Sequence, residues 1–180
     1  MCGLIWCNFR SLKNVLRTLF CSLIRPHLEY CTVVFNSISA YQAHRIERVQ
    51  CRFLNFMHRN LTTRNANSVN FEYLDLCDLY KLPTLKHRRD VNDCLFLYKH
   101  FHNRFTTTDA NPFSLHAPAL RTRHAHKHIL HVPWSRIEVT KRGFISMISS
   151  TYTELHGKCD VFGAPSLNSF RKQVNHALFS

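Results

Sequence analysis

The chain has 180 residues, of which 45% are hydrophobic and 12% aromatic, so it can bury a core in one domain or in two small ones. This composition excludes a disordered tail. The apolar runs are far shorter than the roughly 18 to 20 residues that a membrane-spanning helix needs, and residues 1–9 lack the features of a secretory signal. We therefore expect a cytoplasmic or nuclear protein that is not secreted and has no membrane partner.

The formal net charge is +13, from 24 Lys and Arg residues against 11 Asp and Glu residues. The excess is spread along the chain, with 15 basic and 8 acidic residues in 1–110 and 9 and 3 in 111–180. A polyanion is the expected partner, because each Lys or Arg that neutralises a phosphate releases condensed counterions. The alternative is a basic protein that its charge merely keeps soluble.

The eight cysteines contain no Cys-x-x-Cys pair. Most of them stand at apolar helix positions, such as Cys21 and Cys94, where a reduced thiol packs as a small hydrophobic group. In the absence of a secretory signal we expect free thiols and no structural disulfides.

Apolar periodicity predicts helices over most of residues 1–105. Pro26 is expected to end or kink the first helix, because proline has no N–H for a bond inside a helix. Proline suits a first turn, so a second segment is expected over 27–35, with Leu28, Cys31 and Phe35 directed inward. The wide apolar face of the first helix comprises Leu12, Val15, Leu16, Leu19, Phe20, Leu23 and Ile24.

A helix over residues 41–60 is predicted to have a core side and a basic side. A short helix near 72–80 follows, and Thr84 is expected to cap a longer helix that runs to about Asn103. In the 41–60 helix the apolar face comprises Ile46, Val49, Phe53, Phe56 and Met57, and the basic strip comprises Arg45, Arg48, Arg52 and Arg59.

Residues 106–118, rich in Thr and Pro, are predicted to be a linker or long loop. β-Prone pieces follow at 119–123, 129–132 and 136–140. The expected fold class is mainly α: a helical bundle over residues 1–105, followed after the linker by a smaller, less regular and basic α+β C-terminal segment over residues 119–180. Its closing helix has Ser166 as the expected N-cap and an apolar side of Leu167, Phe170, Val174, Ala177 and Leu178.

Four blocks of the sequence resemble one family in the same order. The blocks are LFCSLIRPHLEYCTVVF at 19–35, RIERVQCRFL at 45–54, DLYKLPTLKHRRDVNDCLFLYK at 78–99 and APSLNSFRKQV at 164–174. They resemble the region after the polymerase core, including the thumb, in reverse transcriptases of jockey-like non-LTR (LINE-type) retrotransposons. Residues 120–136 resemble the family's Arg-Thr-Arg stretch. Residues 143–162 depart from the family's Trp-Asn-Ser-Leu-Pro-like run, so the resemblance gives no prediction of how they pack.

The resemblance implies that residues 1–105 are a thumb-like domain, which in this family holds the template and primer duplex behind the active site of an RNA-directed DNA polymerase. The implied partners are RNA, DNA or an RNA–DNA hybrid, and the missing polymerase palm domain if the chain is part of a longer protein.

Polymerase chemistry needs carboxylates that hold two divalent metals about 4 Å apart. The resemblance implies an adjacent Asp pair in the palm, and the chain contains no Asp-Asp dipeptide. The closest approaches are Asp75 with Asp78 and Asp90 with Asp93, which we interpret as helix pairs that form salt bridges or cap turns. No GxSxG elbow and no glycine-rich phosphate loop occurs. We therefore expect no catalytic residues and no cofactor.

Alternating histidines raise the possibility of a zinc site, because alternate residues of a strand share one face. No Cys or carboxylate stands at ligand spacing nearby, and the neighbouring basic residues would repel a dication. We therefore expect no metal site and interpret these residues as surface or phosphate-contacting histidines, namely His124, His126 and His128, with His116 and His131 close in sequence.

Binding is the chemistry that remains. Three basic clusters are predicted to contact nucleic acid, and Tyr41, Trp134 and Phe144 to stack on unpaired bases. For the two helix clusters the alternative is a solvated face, because arginine stems also cover a core. The clusters are Arg45, Arg48 and Arg52; Lys86, Arg88 and Arg89; and Arg121, Arg123, Lys127, Arg136, Lys141 and Arg142.

Three functional hypotheses follow. The first is a non-catalytic nucleic-acid-binding fragment of a retrotransposon reverse transcriptase, which holds the template and primer backbone without polymerising. The second is a degenerate transposon remnant that acts as a helical protein-interaction module, with apolar residues at the start of the chain left exposed. The third is a zinc-binding module.

Overall fold

A computed structural model describes Gly3, Asn8 and residues 13–61, 72–102, 113, 115–116, 129–131, 134, 136–137, 141–155 and 158–179. The chain divides into two compact units. Unit 1 comprises Met1–Thr32 and Ser39–Arg88, and unit 2 comprises Val33–Ile38 and Arg89–Ser180. The predicted linker, residues 106–118, lies mostly outside the described residues and stays a prediction.

The described residues are mainly helical, as the sequence predicts. Helix α7 is the one for which the sequence supplied no prediction, and its residues Ile148, Tyr152 and Leu155 are buried at helical spacing. The helices are α1 (Lys13–Leu19), a π-helical turn (Phe20–Ile24), α2 (Arg25–Glu29), α3 (Thr32–Phe35), α4 (Ala40–Leu61), α5 (Tyr73–Leu79), α6 (Leu85–Phe101), α7 (Phe144–Leu155) and α8 (Leu167–Phe179).

The β structure of the described residues is one antiparallel pair of two-residue strands, β1 (Leu115–His116) and β2 (Ile129–Leu130). Strand β2 lies within the β-prone piece at 129–132, whereas Arg136 and Ile137 of the third piece form a bend. The piece at 119–123 lies outside the described residues. The described residues thus give an α+β C-terminal segment no support beyond this minimal pair.

The core of unit 1 forms between the first helical segment, α4 and α5. Leu16, Phe20 and Ile24 are buried at i, i+4 and i+8, and the Phe20 ring stacks on that of Phe53 with 4.5 Å between centroids. Val15 and Leu23 are exposed, so the apolar face of the first segment is narrower than the sequence indicates. The other buried members of this core are Leu54, Met57, Leu76, Cys77 and Leu82.

Pro26 interrupts the first helix without ending it. It lies in the first turn of α2, directly after the π-helical turn, in which the Arg25 N–H donates to the Phe20 carbonyl five residues back. Helix α2 ends at Glu29, after which Tyr30 is extended and Cys31 takes a left-handed conformation with φ 53°. Cys31 is exposed, so its predicted inward direction is wrong, whereas Leu28 packs against the core as predicted. The Phe35 side chain lies outside what the structure describes.

Buried polar groups of α4 connect it to α5 and α6 within unit 1. The Glu47 carboxylate accepts a hydrogen bond from the Tyr73 hydroxyl at 2.5 Å and one from the Leu85 N–H at 2.9 Å. The Gln50 amide, buried one turn further on, donates to the Tyr73 hydroxyl and to the Pro83 carbonyl. Glu47 thus caps α6 from another helix, beside the predicted cap Thr84, whose hydroxyl accepts from the His87 N–H at 3.2 Å.

The core of unit 2 forms around the later part of α6, with α7 and α8. The Tyr98 ring stacks on that of Phe170 at 5.1 Å between centroids, and the Tyr98 hydroxyl donates to the Ala164 carbonyl. Helix α8 begins as predicted, because the Ser166 hydroxyl accepts from the Ser169 N–H at 3.2 Å. Its buried residues are Phe170, Val174 and Ala177, three members of the predicted apolar side.

Asp93 is fully buried in unit 2. Its Oδ2 accepts a hydrogen bond from Asn36 Nδ2 at 2.5 Å, while among the described residues its Oδ1 has no partner. Burial raises the pKa of the Asp93 carboxyl to about 7. The negative charge of Asp90 also raises this pKa. The Asn36 hydrogen bond and the positive charge of Arg89 lower it, but burial outweighs these two effects.

We expect Glu47→Ala to destabilise the protein by about 2 to 4 kcal/mol, because it leaves the Tyr73 hydroxyl and the Leu85 N–H without their acceptor. Urea unfolding measures this change in the free energy of unfolding. Glu154→Ala, an exposed glutamate of α7, is the matched control, with an expected change within about 0.5 kcal/mol. Equal effects of the two substitutions would contradict the capping role.

The buried Asp93 carboxyl predicts a pH dependence of stability. Its pKa in the folded chain exceeds the ordinary value of about 3.9, so the folded state binds the proton more tightly than the unfolded state. The tighter proton binding therefore stabilises the folded state. This stabilisation is complete below about pH 4 and is lost as the pH rises to about 7.

Asp93→Asn cannot ionise, so its stability relative to the native chain should rise between pH 4 and 7, by at most about 1.4 kcal/mol per pH unit. Urea unfolding at several pH values measures this difference. Asn168→Ala, at an exposed position of α8, removes no ionisable group and should give a difference that does not vary over this range. A constant difference for Asp93→Asn as well would show that the carboxyl titrates normally.

Candidate nucleic-acid interface

Four arginines of α4 form one strip on the exposed surface of unit 1. All four are exposed, and at 3.6 residues per turn they fall within a sector of about 60° around the helix axis. With a rise of 1.5 Å per residue the strip is about 21 Å long. We call this set the arginine strip: Arg45, Arg48, Arg52 and Arg59.

Three members of the strip were predicted to contact nucleic acid, and the structure places all three side by side. Arg59 was omitted from that contact set, although its i+7 spacing from Arg52 signals the same face. This spacing extends the strip by two further turns.

The arginine strip is not neutralised by acidic residues of its own helix. Glu47 is the one carboxylate in α4, and it is turned inward to Tyr73 and Leu85. Among the described residues, no carboxylate lies within ion-pair distance of any member of the strip. The guanidinium groups therefore keep their charge and their hydrogen-bond donors available to a partner.

Tyr41 extends the strip by one aromatic side chain, one turn before Arg45. It is 70% exposed, and the Arg45 guanidinium carbon lies 5.9 Å from the centroid of its ring. This distance allows a cation–π interaction, which orients the guanidinium at the surface. Tyr41 thus presents an exposed ring beside a positive charge, and its stacking on bases stays a prediction.

The second predicted cluster is not one basic surface. Lys86 is exposed, but the Arg88 guanidinium binds both carboxylate oxygens of Glu29, with Nη2 to Oε2 at 2.8 Å. Arg89 is only 4% exposed. The nucleic-acid contacts predicted for Arg88 and Arg89 do not fit this placement, because one guanidinium is held by a carboxylate and the other is buried.

Half of the third predicted cluster can be placed. Arg136, Lys141 and Arg142 are exposed in unit 2, whereas Arg121, Arg123 and Lys127 lie outside the described residues. Trp134 is 85% exposed, as a base-stacking residue requires. Phe144 is not such a residue, because its ring is partly buried and packs edge-on against Phe96 at 5.3 Å between centroids.

The predicted carboxylate pairs serve the fold where the structure shows their bonds. Asp75 Oδ2 accepts from the Glu72 N–H at 3.2 Å and so caps α5, while Asp93 is buried against Asn36. Within the described ranges, no three His, Cys, Asp or Glu side chains are grouped as metal ligands would be. The alternating His124, His126 and His128 lie outside those ranges.

The cysteines of the described ranges, Cys21, Cys31, Cys51, Cys77, Cys94 and Cys159, form no disulfide with one another. Burial raises the pKa of the thiols of Cys77, Cys94 and Cys159. These three side chains therefore stay protonated and pack as small hydrophobic groups, as the sequence indicates for Cys94.

None of the helices that the structure describes combines the length and the apolar character needed to cross a lipid bilayer. In the described part of the chain, the feature that best fits a binding surface is the arginine strip with Tyr41, because its positive charges are exposed and suit an anionic partner. No protein-family model, no curated protein and no solved structure matches the chain.

Proposed function

We propose that the chain binds nucleic acid through the arginine strip of α4 and holds its sugar-phosphate backbone without catalysing polymerisation. The observation that carries this proposal is the alignment of four exposed arginines on one helix face, with the single carboxylate of the helix turned inward. Basic side chains alone are common on surfaces. A continuous strip of four arginines with no acidic partner among the described residues is the arrangement that a polyanion neutralises.

The length of the strip fits contact with several phosphates. Its span of about 21 Å corresponds to about six base-pair steps of 3.4 Å measured along the axis of a duplex. Arginine binds phosphate through two parallel N–H bonds, which makes each such contact strong. Contacts of this kind position a duplex and carry no sequence information, so we infer weak sequence preference and strong dependence on salt.

The sequence also supports the proposal, because it resembles jockey-like reverse transcriptases. The resemblance lies in residues 19–35, 45–54, 78–99 and 164–174. We propose that the chain derives from the thumb and post-thumb region of such an enzyme. On this proposal RNA, DNA or an RNA–DNA hybrid is the ligand, and a polymerase palm domain is a further partner.

A helical protein-interaction module is the second candidate. One observation favours it: Leu74 and Leu79 of α5 are each 58% exposed, so this short helix presents apolar side chains to solvent. A module of this kind would associate with protein and not with nucleic acid. Light scattering separates the two candidates, because a nucleic-acid binder should stay monodisperse and form a larger complex on addition of an oligonucleotide.

The decisive experiment is titration of a labelled RNA–DNA hybrid, followed by fluorescence anisotropy at several salt concentrations. The logarithm of the association constant should fall linearly with the logarithm of the salt concentration. Arg45→Gln with Arg48→Gln should weaken binding at low salt and reduce the steepness of this line by about two, because each phosphate contact contributes about 0.9.

The matched control is Arg171→Gln with Lys172→Gln, which removes two exposed positive charges from α8 and leaves the arginine strip intact. We expect its salt dependence to stay close to that of the native chain. If both double variants change the salt dependence equally, binding depends on net charge and not on the strip. If the native chain does not bind the hybrid at low salt, the proposal fails.

A further inference from the structure

A histidine stands on the flank of the arginine strip. His44 of α4 is exposed, lies three residues after Tyr41 and precedes Arg48 by four residues. At about 100° per residue, it projects from the helix about 40° away from Arg48. Side chains four residues apart on a helix are neighbours, with about 5 to 6 Å between their Cβ atoms. A nucleic-acid backbone that Arg48 contacts is therefore within reach of the His44 imidazole.

The two histidines of α4 differ in what they contact. His58 Nδ1 lies 3.4 Å from the Tyr80 hydroxyl, and the two rings meet edge-on with 6.5 Å between centroids. His44 makes no hydrogen bond, ion pair or ring contact with any residue that the structure describes. Within α4, His44 is therefore the histidine whose ring nitrogens are available to a partner of the strip.

The charged groups near His44 on its own helix are the strip arginines Arg45 and Arg48, whereas Glu47 is turned inward. Helices α1 and α5 pack against α4, and in the described ranges none of their acidic groups lies within ion-pair distance of His44. The charged and titratable residues of these two helices are Lys13, Arg17, Tyr73, Asp75, Cys77 and Asp78. The first turn of α6, which Glu47 caps, adds Lys86, His87 and Arg88.

We propose that His44 is a further phosphate-binding residue of the arginine strip and makes nucleic-acid binding depend on pH. Histidine is the side chain that ordinarily changes its charge between about pH 5 and 8, and its protonated ring donates hydrogen bonds from both nitrogens. The neutral ring adds no charge to the strip, whereas the protonated ring adds a fifth positive charge. A phosphate favours the protonated ring, so binding takes up a proton and the affinity rises as the pH falls.

This inference rests on the proposed function and deepens it, because His44 acts beside the four arginines that hold the backbone. A second effect of pH must be separated from it. The buried Asp93 carboxyl makes the folded chain less stable as the pH rises to about 7, and partial unfolding would also weaken binding. The experiment therefore needs a variant that keeps the fifth charge at high pH.

The test is an anisotropy titration of the labelled RNA–DNA hybrid over several salt concentrations, at about pH 5.5 and at about pH 8. For the native chain, the plot of the logarithm of the association constant against that of the salt concentration should be steeper at the lower pH. The expected difference in slope is at least about 0.9, the contribution of one further phosphate contact. At about 50 mM salt this corresponds to binding that is about tenfold tighter at the lower pH.

Two substitutions of His44 fix its charge in opposite states. His44→Gln stays neutral, so it should bind as the native chain does at about pH 8 and lose about 0.9 of the slope difference between the two pH values. His44→Arg stays charged, so at about pH 8 its slope should exceed that of the native chain by about 0.9. A gain of binding at the higher pH cannot result from partial unfolding.

His176→Gln, at an exposed position of α8, is the matched control and should retain the full slope difference. The proposal is overturned if His44→Gln also retains it, or if His176→Gln removes as much of it as His44→Gln does. If the native chain binds equally at both pH values with the salt dependence expected for the strip, the role of His44 fails and the proposed function stands. If the hybrid does not bind at low salt at either pH, both fail together.

Discussion

The position of the Glu47 carboxylate is the constraint on which the arrangement of unit 1 depends. Within this unit it accepts bonds from the Tyr73 hydroxyl and from the Leu85 N–H, so one side chain of α4 connects to α5 and to the first turn of α6. A carboxylate at a helix N-terminus also meets the positive end of the helix dipole. These contacts fix the rotation of α4 about its axis and turn its one negative charge away from the surface.

The basic character of the exposed face follows from that rotation. Phe53, Leu54 and Met57 of α4 are buried on one side of the helix, and Gln50 is buried among them with all its described bonds made to α5 and the loop before α6. What remains outside is a face whose charged residues are all arginines. The arginine strip is thus a consequence of how the helix is packed as much as of its composition.

The helices and their ends were predictable because their signals are local. Apolar spacing and the hydroxyls of Thr84 and Ser166 indicated α4, α6 and α8, and the observed bounds agree with the predictions to within a few residues. Helix α7 was missed because no prediction was attempted where the sequence departs from the family, although its residues at i, i+4 and i+7 are buried. Cys31 was misjudged because a left-handed residue breaks the periodicity on which the prediction depended.

The candidate site was predictable only in part, because the availability of an arginine depends on partners distant in sequence. Arg88 looks the same as Arg48 in a local window, yet Glu29, 59 residues away, occupies its guanidinium. Arg89 follows it directly and faces the interior, since adjacent residues of a helix differ by about 100° in direction. A regular spacing over several turns, as in the arginine strip, is the signal that distinguishes an exposed set from individual basic residues.

The strip itself is unfavourable for the free protein. Arg45 and Arg48 are three residues apart and Arg48 and Arg52 four, and like charges at these spacings destabilise a helix by about 0.2 to 0.5 kcal/mol per pair. Burial of the apolar side chains opposite contributes several times more, so the helix forms nonetheless. A polyanion laid along the strip replaces this repulsion with attraction. Salt screens both, so it favours the free helix and weakens the proposed complex, and the two salt dependences have opposite signs because they arise from the same four charges.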